Sequence, residues 1–241
     1  MPIKAYFESS LALAYAVPAS ALEPLLPPGL VVDTYKGFGF LAIVLVHTRD
    51  LRPAFLPSGI GISFYLSGYR IFVKYETTAG QTLRGLRIIR TDTNRRSMRF
   101  LGNLLTHYSY ELSQWTVRRT ERTFEAQVKT KDGVADLHVE ADLGADQVSL
   151  PAGSPFDHFD EARKFAAPLP FTFDYEKETH SIIRVQGVRG QWNPRPVPVT
   201  VHKCAFLRQP AFSAAVPVLA NAFFVERVPY AWRHGIRERL S

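Results

Sequence analysis

Extended segments follow one another along most of this chain, and that succession constrains the fold more than any other feature. From Tyr69 to Thr77 the side chains alternate, with Arg70, Phe72, Lys74 and Glu76 on one side and Ile71, Val73 and Tyr75 on the other. Phe7 to Val17, Leu30 to Thr34, Ile60 to Leu66 and Gln81 to Thr91 also read as strands, with Ser67-Gly68 marking a break between two of them. Gly39 to Thr48 is a dense apolar run, the pattern of a strand buried on both faces. His107 to Arg118, Thr123 to Thr130 and Val134 to Ala141 read as an antiparallel meander turned by Lys131-Asp132-Gly133, because Asp-Gly suits hairpins with positive φ. Strands return at Ser181 to Gly187 and Asn221 to Val228.

Helical spacing is confined to short pieces. Pro18 to Leu26 places Leu22, Leu25 and Leu26 on one face before Pro27-Pro28-Gly29 stops it. Asn94 to Leu105 spaces Met98, Leu101, Leu104 and Leu105 helically, with Asp92 or Asn94 as N-cap candidates and Arg95, Arg96 and Arg99 outside. The stretch 144–178 reads as a long excursion with a short helix around Asp160 to Phe165, and Pro210 to Leu219 as partly helical. No linker and no internal repeat divides the chain, so residues 1–241 are expected to form one mainly β (α+β) domain, barrel-like or sandwich-like.

Composition removes several classes. At 46% hydrophobic and 21% charged residues the chain is neither disordered nor fibrous. No apolar run approaches the roughly 18 residues of a membrane span, and the N-terminus lacks signal-peptide features. Cys204 is the single cysteine, which excludes an internal disulfide framework and a multi-cysteine zinc site. These features predict a cytoplasmic protein that does not engage a membrane. A net charge of +7 favours anionic partners without choosing among them.

Tyr15-Ala-Val-Pro-Ala-Ser-Ala-Leu-Glu-Pro-Leu-Leu-Pro-Pro-Gly-Leu-Val-Val-Asp33 resembles the opening of the acetoacetate decarboxylase-like superfamily. The order continues with the apolar strand Phe40 to Thr48, a Pro57-Ser58-Gly59 loop, Arg90-Thr91-Asp92, and closing strands from Gln191-Trp192 to Tyr230. Tyr69 to Val73 and the glycine-led segment Gly85 to Asp92 are most similar to a branch catalogued only as a domain of unknown function. The resemblance spans residues 6 to 230 and implies a single antiparallel, cone-like β-barrel with a few short peripheral helices and an interior small-molecule pocket. The superfamily's decarboxylases use a Schiff-base lysine whose pKa is lowered by neighbouring charge and desolvation. Here the matching stretch, Gly102 to His107, contains no lysine, the loop glutamate falls near Pro57 and the first-strand arginine near Glu8. The resemblance therefore implies that this chain is not an acetoacetate decarboxylase.

The residues then yield a candidate site without metal or cofactor. Arg70, in mid-strand, can bind a carboxylate bidentately; the alternative is an ion pair with Glu76 or Asp92, or exposure. Lys74 shares its face, as a substitute amine or a solvated strand charge. Arg90 and Tyr108 complete the expected ligand contacts. Asp92, His107 and Glu8 are the candidate proton carriers, against readings as a helix cap, a backbone-bonded histidine and an exposed strand residue. His138-Val139-Glu140 offers too few ligands for a metal, and no phosphate loop or nucleophile elbow occurs. The expected function is binding or transforming a small anionic carbonyl or carboxylate compound, through lyase- or hydratase-like acid–base chemistry if it is catalytic. A non-catalytic ligand-binding or sensing barrel stands beside it. A third reading has the basic clusters at Arg95-Arg96, Arg118-Arg119 and Arg233 to Arg239 binding nucleic acid or an anionic partner. Homo-oligomerisation stays open.

Overall fold

A computed structural model describes residues 2–105, 108–166, 169–190, 192–212 and 215–240. Its strands are β1 (Ile3–Pro18), β2 (Leu30–Val32), β3 (Phe38–Pro53), β4 (Ile62–Glu76), β5 (Thr82–Thr93), β6 (Tyr110–Arg119), β7 (Thr123–Thr130), β8 (Leu137–Asp142), β9 (Phe171–Glu176), β10 (Ser181–Arg189), β11 (Arg195–Pro196), β12 (Val199–Cys204), β13 (Val218–Trp232) and β14 (Ile236–Arg239). Two helices join them, α1 (Arg96–Leu105) and α2 (Phe159–Ala166). The mainly β reading with few, short helices holds.

The strand order is β12-β8-β7-β6-β5-β9-β10-β13-β1-β3-β4-β2, and a further pairing of β4 with β5 closes a ring through β9, β10, β13, β1 and β3. Pairing is antiparallel except where β5 meets β6 and β9, which it does in parallel. From β6 the sheet departs from the ring as β6-β7-β8-β12 and folds back on it.

Side-chain alternation separates two cores. In β1 the large Leu11, Leu13, Tyr15 and Val17 face away from the ring, with Ile43, Tyr69, Ile71 and Val73, onto Phe124, Ala126, Val128, Leu137 and Val139 of the folded-back strands. The intervening Ala14 and Ala16 join Phe40, Ala42, Val44, Phe72 and Leu86 on the other face, covered by Phe156 and by Ala162 of α2. Burial on both faces explains why β3 is apolar without alternation: residues 39–46 are all buried.

Several local expectations change. Ser67-Gly68 does not separate two strands: β4 runs through both, and Gly68 pairs with Val44 on one side and Thr91 on the other. The segment after Pro18 forms two single 3₁₀ turns, Ala19–Ala21 and Glu23–Leu25, and not one α-helix, because Pro24 falls at the first turn of the second. β9 emerges inside the stretch read as irregular, paired with β10 and β5; β12, paired with β8, falls where the resemblance placed closing strands; and β14 was not read. Among the residues of α1 whose side chains are described, Met98 and Gly102 are buried, whereas Leu101 and Leu104 are exposed. Neither Asp92 nor Asn94 caps that helix: Thr93 Oγ1 accepts the Arg95 N–H at 3.3 Å and Asn94 Oδ1 accepts that of Tyr65 at 2.8 Å.

Candidate functional site

The residue row Arg70, Ala42, Ala14, Asn221 runs across β4, β3, β1 and β13 in register, on the face that also carries Phe40 and Phe72. Cross-strand partners share a face, so Arg70 projects with the alanines toward the ring interior. Its guanidinium lies back over Gly68: a methyl group on that glycine would stand 3.1 Å from Nε and 3.3 Å from Nη2. This close approach is what the glycine permits. Tyr230, Tyr110 and Tyr108 lie within electrostatic reach of the guanidinium. Tyr110 packs against Gly102 of α1, Tyr108 shares a 3.2 Å hydrogen bond with Thr172, and Tyr230 stacks on Phe7 with centroids 4.6 Å apart.

The Arg70 side chain makes no hydrogen bond and no ion pair with any described residue, and its Nε is buried without an acceptor. Burial pushes the guanidinium pKa down, and the same burial holds the Tyr108 and Tyr110 phenols above their usual range. A buried donor without a partner is uncommon in folded proteins and calls for an explanation.

Lys74 lies on Arg70's strand, four residues on, where its Nζ is 3.2 Å from Asp33. Asp33 is 1% exposed and also accepts from Arg84 Nε at 2.5 Å, so two cations compensate one buried carboxylate. Arg90 pairs opposite Tyr69, on the face that meets the second sheet. It is bound by Asp92 at 2.9 Å and by Asp132 at 2.9 Å, and it lines a surface cleft of about 330 Å³ with Glu111, Phe206, Gln209 and Phe212. Asp92 is fully buried opposite Ser67, and burial raises its carboxyl above the ordinary range even beside Arg90. Glu8 occupies a bulge of β1 and accepts from Arg49 Nη1 at 2.9 Å. His107 lies outside the described residues. The fold thus brings Tyr108 to Arg70 and distributes Lys74, Arg90, Asp92 and Glu8 over other partners.

The sequence reading missed Gly68, Tyr110, Tyr230 and Asn221. Gly68 was legible only as punctuation, and the tyrosines and the asparagine reach the interior through ring closure, which leaves no local signal. All eight lysines are described; seven are exposed, and Lys74 is the half-buried partner of Asp33. Among the described residues no cluster of three or more acidic, histidine or cysteine side chains could hold a metal, and no helix is long and apolar enough to cross a membrane.

No curated protein matches the sequence. Solved structures share the fold. Acetoacetate decarboxylase from Legionella pneumophila subsp. pneumophila str. Philadelphia 1 superposes with a TM-score of 0.65 at 12% identity, covering 98% of this chain and 87% of that one. An acetoacetate decarboxylase-like enzyme from Sphingomonas wittichii RW1 gives 0.62 at 11% identity, covering 99% and 94%. The enduracididine biosynthesis enzyme MppR, complexed with pyruvate, gives 0.60 at 12% identity, covering 98% and 90%. These likenesses establish an acetoacetate decarboxylase-like fold. A family model described as an uncharacterized conserved protein matches residues 5–229, nearly the whole chain, and on that match the chain belongs to the DUF2071 family.

Proposed function

We propose that this chain binds a small anionic carbonyl or carboxylate compound inside the strand ring, with Arg70 as the carboxylate anchor and without an imine to lysine. The carrying observation is the Arg70 guanidinium, held over Gly68 among tyrosines with no anionic partner among the described residues. A guanidinium is a fixed fork of donors that fits a carboxylate bidentately. The structural neighbour that holds pyruvate supports the ligand class. The lysines support the imine-free part: an amine nucleophile needs desolvation and a lowered pKa, and no lysine is buried.

Calorimetric titration with pyruvate and levulinate tests the anchor. Arg70→Met is expected to weaken binding by about ten- to a hundredfold, the worth of a charged hydrogen bond; unchanged affinity removes Arg70 from the site. Incubation with acetoacetate and borohydride is expected to leave the mass of the protein unchanged, and an adduct on any lysine refutes the imine-free reading.

One observation favours binding without turnover as a second reading. The groups in electrostatic reach of Arg70 are phenols, whereas Asp92 and Glu8 are engaged by Arg90 and Arg49. Deuterium exchange at the carbon beside the carbonyl of bound levulinate separates the two: exchange above the buffer rate supports proton-transfer chemistry, and none supports a binder.

A further inference from the structure

The ring interior holds a second unanswered donor. Asn221 is 1% exposed, and its Nδ2 has no hydrogen-bond partner. Its side chain makes no polar contact with any described residue. It stands opposite Ala14 in β1, Ala14 opposite Ala42 in β3, and Ala42 opposite Arg70 in β4. One register row of the interior wall therefore carries a donor at each end and two methyl groups between. The rows on either side are bulkier: Phe72 and Phe40 below, Val44 beside Gly68 above. Asn221 alternates in unbroken register with Ala222 and Phe223, and a β-bulge at Ala220 follows the pairing of Ala14 with Asn221. Three inter-strand spacings of about 4.8 Å put the two ends about 14 Å apart along the wall at the level of the backbone.

We infer that Asn221 is a specificity-determining residue, reading a second acceptor on the ligand that Arg70 anchors; this rests on the proposed function of Arg70. The donors define the ligand. Arg70 takes a carboxylate. Asn221, neutral and buried, suits a neutral acceptor such as a ketone, amide or hydroxyl oxygen, because a second carboxylate there would be a buried charge without a cation. The alanine pair between them matches an apolar spacer. The ligand class is an oxo- or hydroxy-carboxylate whose two polar ends are separated by an aliphatic segment. A site that leaves a buried donor unmet penalises the analogue lacking the acceptor, which is how hydrogen-bonding sites discriminate.

The test compares matched ligands: levulinate against pentanoate, and the longer oxo-carboxylates against their parent alkanoates, by titration calorimetry. The wild-type protein is expected to prefer the oxo member of at least one pair by about tenfold or more. Asn221→Leu, which replaces the amide by an apolar group of similar size, is expected to erase that preference while keeping affinity for the alkanoate. Asn221→Ala serves the same purpose should the leucine variant not fold. Preference retained in the variants, or no preference in the wild type, overturns the role of Asn221 and leaves the Arg70 anchor standing. Equal binding by wild type and Arg70→Met, or no binding of any of these carboxylates, overturns the anchor and with it this inference.

Discussion

Replacing Arg70 by methionine should make the protein more stable. The Arg70 Nε is unmet, and no acid among the described residues sits on the guanidinium. A buried donor without an acceptor costs about 1–3 kcal/mol, and desolvating a charge adds several more where burial is complete. Here the second cost is reduced, because the residue as a whole is only partly buried. Methionine keeps most of the aliphatic stem over Gly68 and removes both costs, so loss of packing is small. The balance is a gain of about 1–2 kcal/mol, and for a chain of this size each kcal/mol moves the melting temperature by about 2–4 °C. Calorimetry and urea unfolding should be run in a buffer free of phosphate, sulfate and carboxylates, since an anion on Arg70 would stabilise the wild type by mass action. Added pyruvate should then raise the melting temperature of the wild type and not of the variant. A loss of about 1 kcal/mol or more in Arg70→Met would refute the reasoning, because it would mean that the guanidinium already has a structural partner. A gain would place Arg70 among residues kept for function at the expense of stability.

The Arg90 network predicts the opposite sign. Arg90→Met leaves Asp92 fully buried without its cation and is expected to cost about 3–5 kcal/mol in urea unfolding, most of it recovered in Arg90→Met/Asp92→Leu; a single-variant loss below about 1 kcal/mol would contradict the burial argument. Gly68→Ala puts a methyl group 3.1 Å from Arg70 Nε and should weaken pyruvate binding about tenfold with little change in melting temperature, the displaced group being the end of a flexible side chain; equal affinity would show that the guanidinium does not depend on that approach. Arg90's hydrogen bond holds the Asp132 carboxyl down at about 2. Its unfolded value is about 4, so its contribution is complete above that pH and is lost as pH falls toward 2. Unfolding free energies measured from pH 5 downward should fall less steeply in Asp132→Asn than in the wild type, and parallel curves would sink the assignment.

Much of the fold was legible because strand chemistry is local. The alternation from Tyr69 to Glu76, the unbroken apolar run in β3 and the Asp132-Gly133 turn with its positive φ each declare themselves within a few residues. Leu101 and Leu104 show the limit: helical spacing identified α1, yet spacing cannot say whether anything packs on a face, and both side chains are exposed. β9 and β12 carry weak patterns of their own and exist because β10 and β8 supply their hydrogen bonds.

The candidate site divides the same way. Arg70 was recognisable as a charge in mid-strand on a mixed face, a strictly sequential observation. Its environment was not. Ring closure by β4 and β5 carries Tyr108, Tyr110 and Tyr230, from distant parts of the chain, to one guanidinium, and sends Asp92 and Arg90 to the opposite face of the same sheet. Amino-acid order fixed most of the strands, the scarcity of helix and the absence of a lysine in the stretch where the resemblance expects one. Which charges are satisfied and which are left open came from the assembled sheet, because pairing across strands depends on register and closure, and neither is written in neighbouring residues.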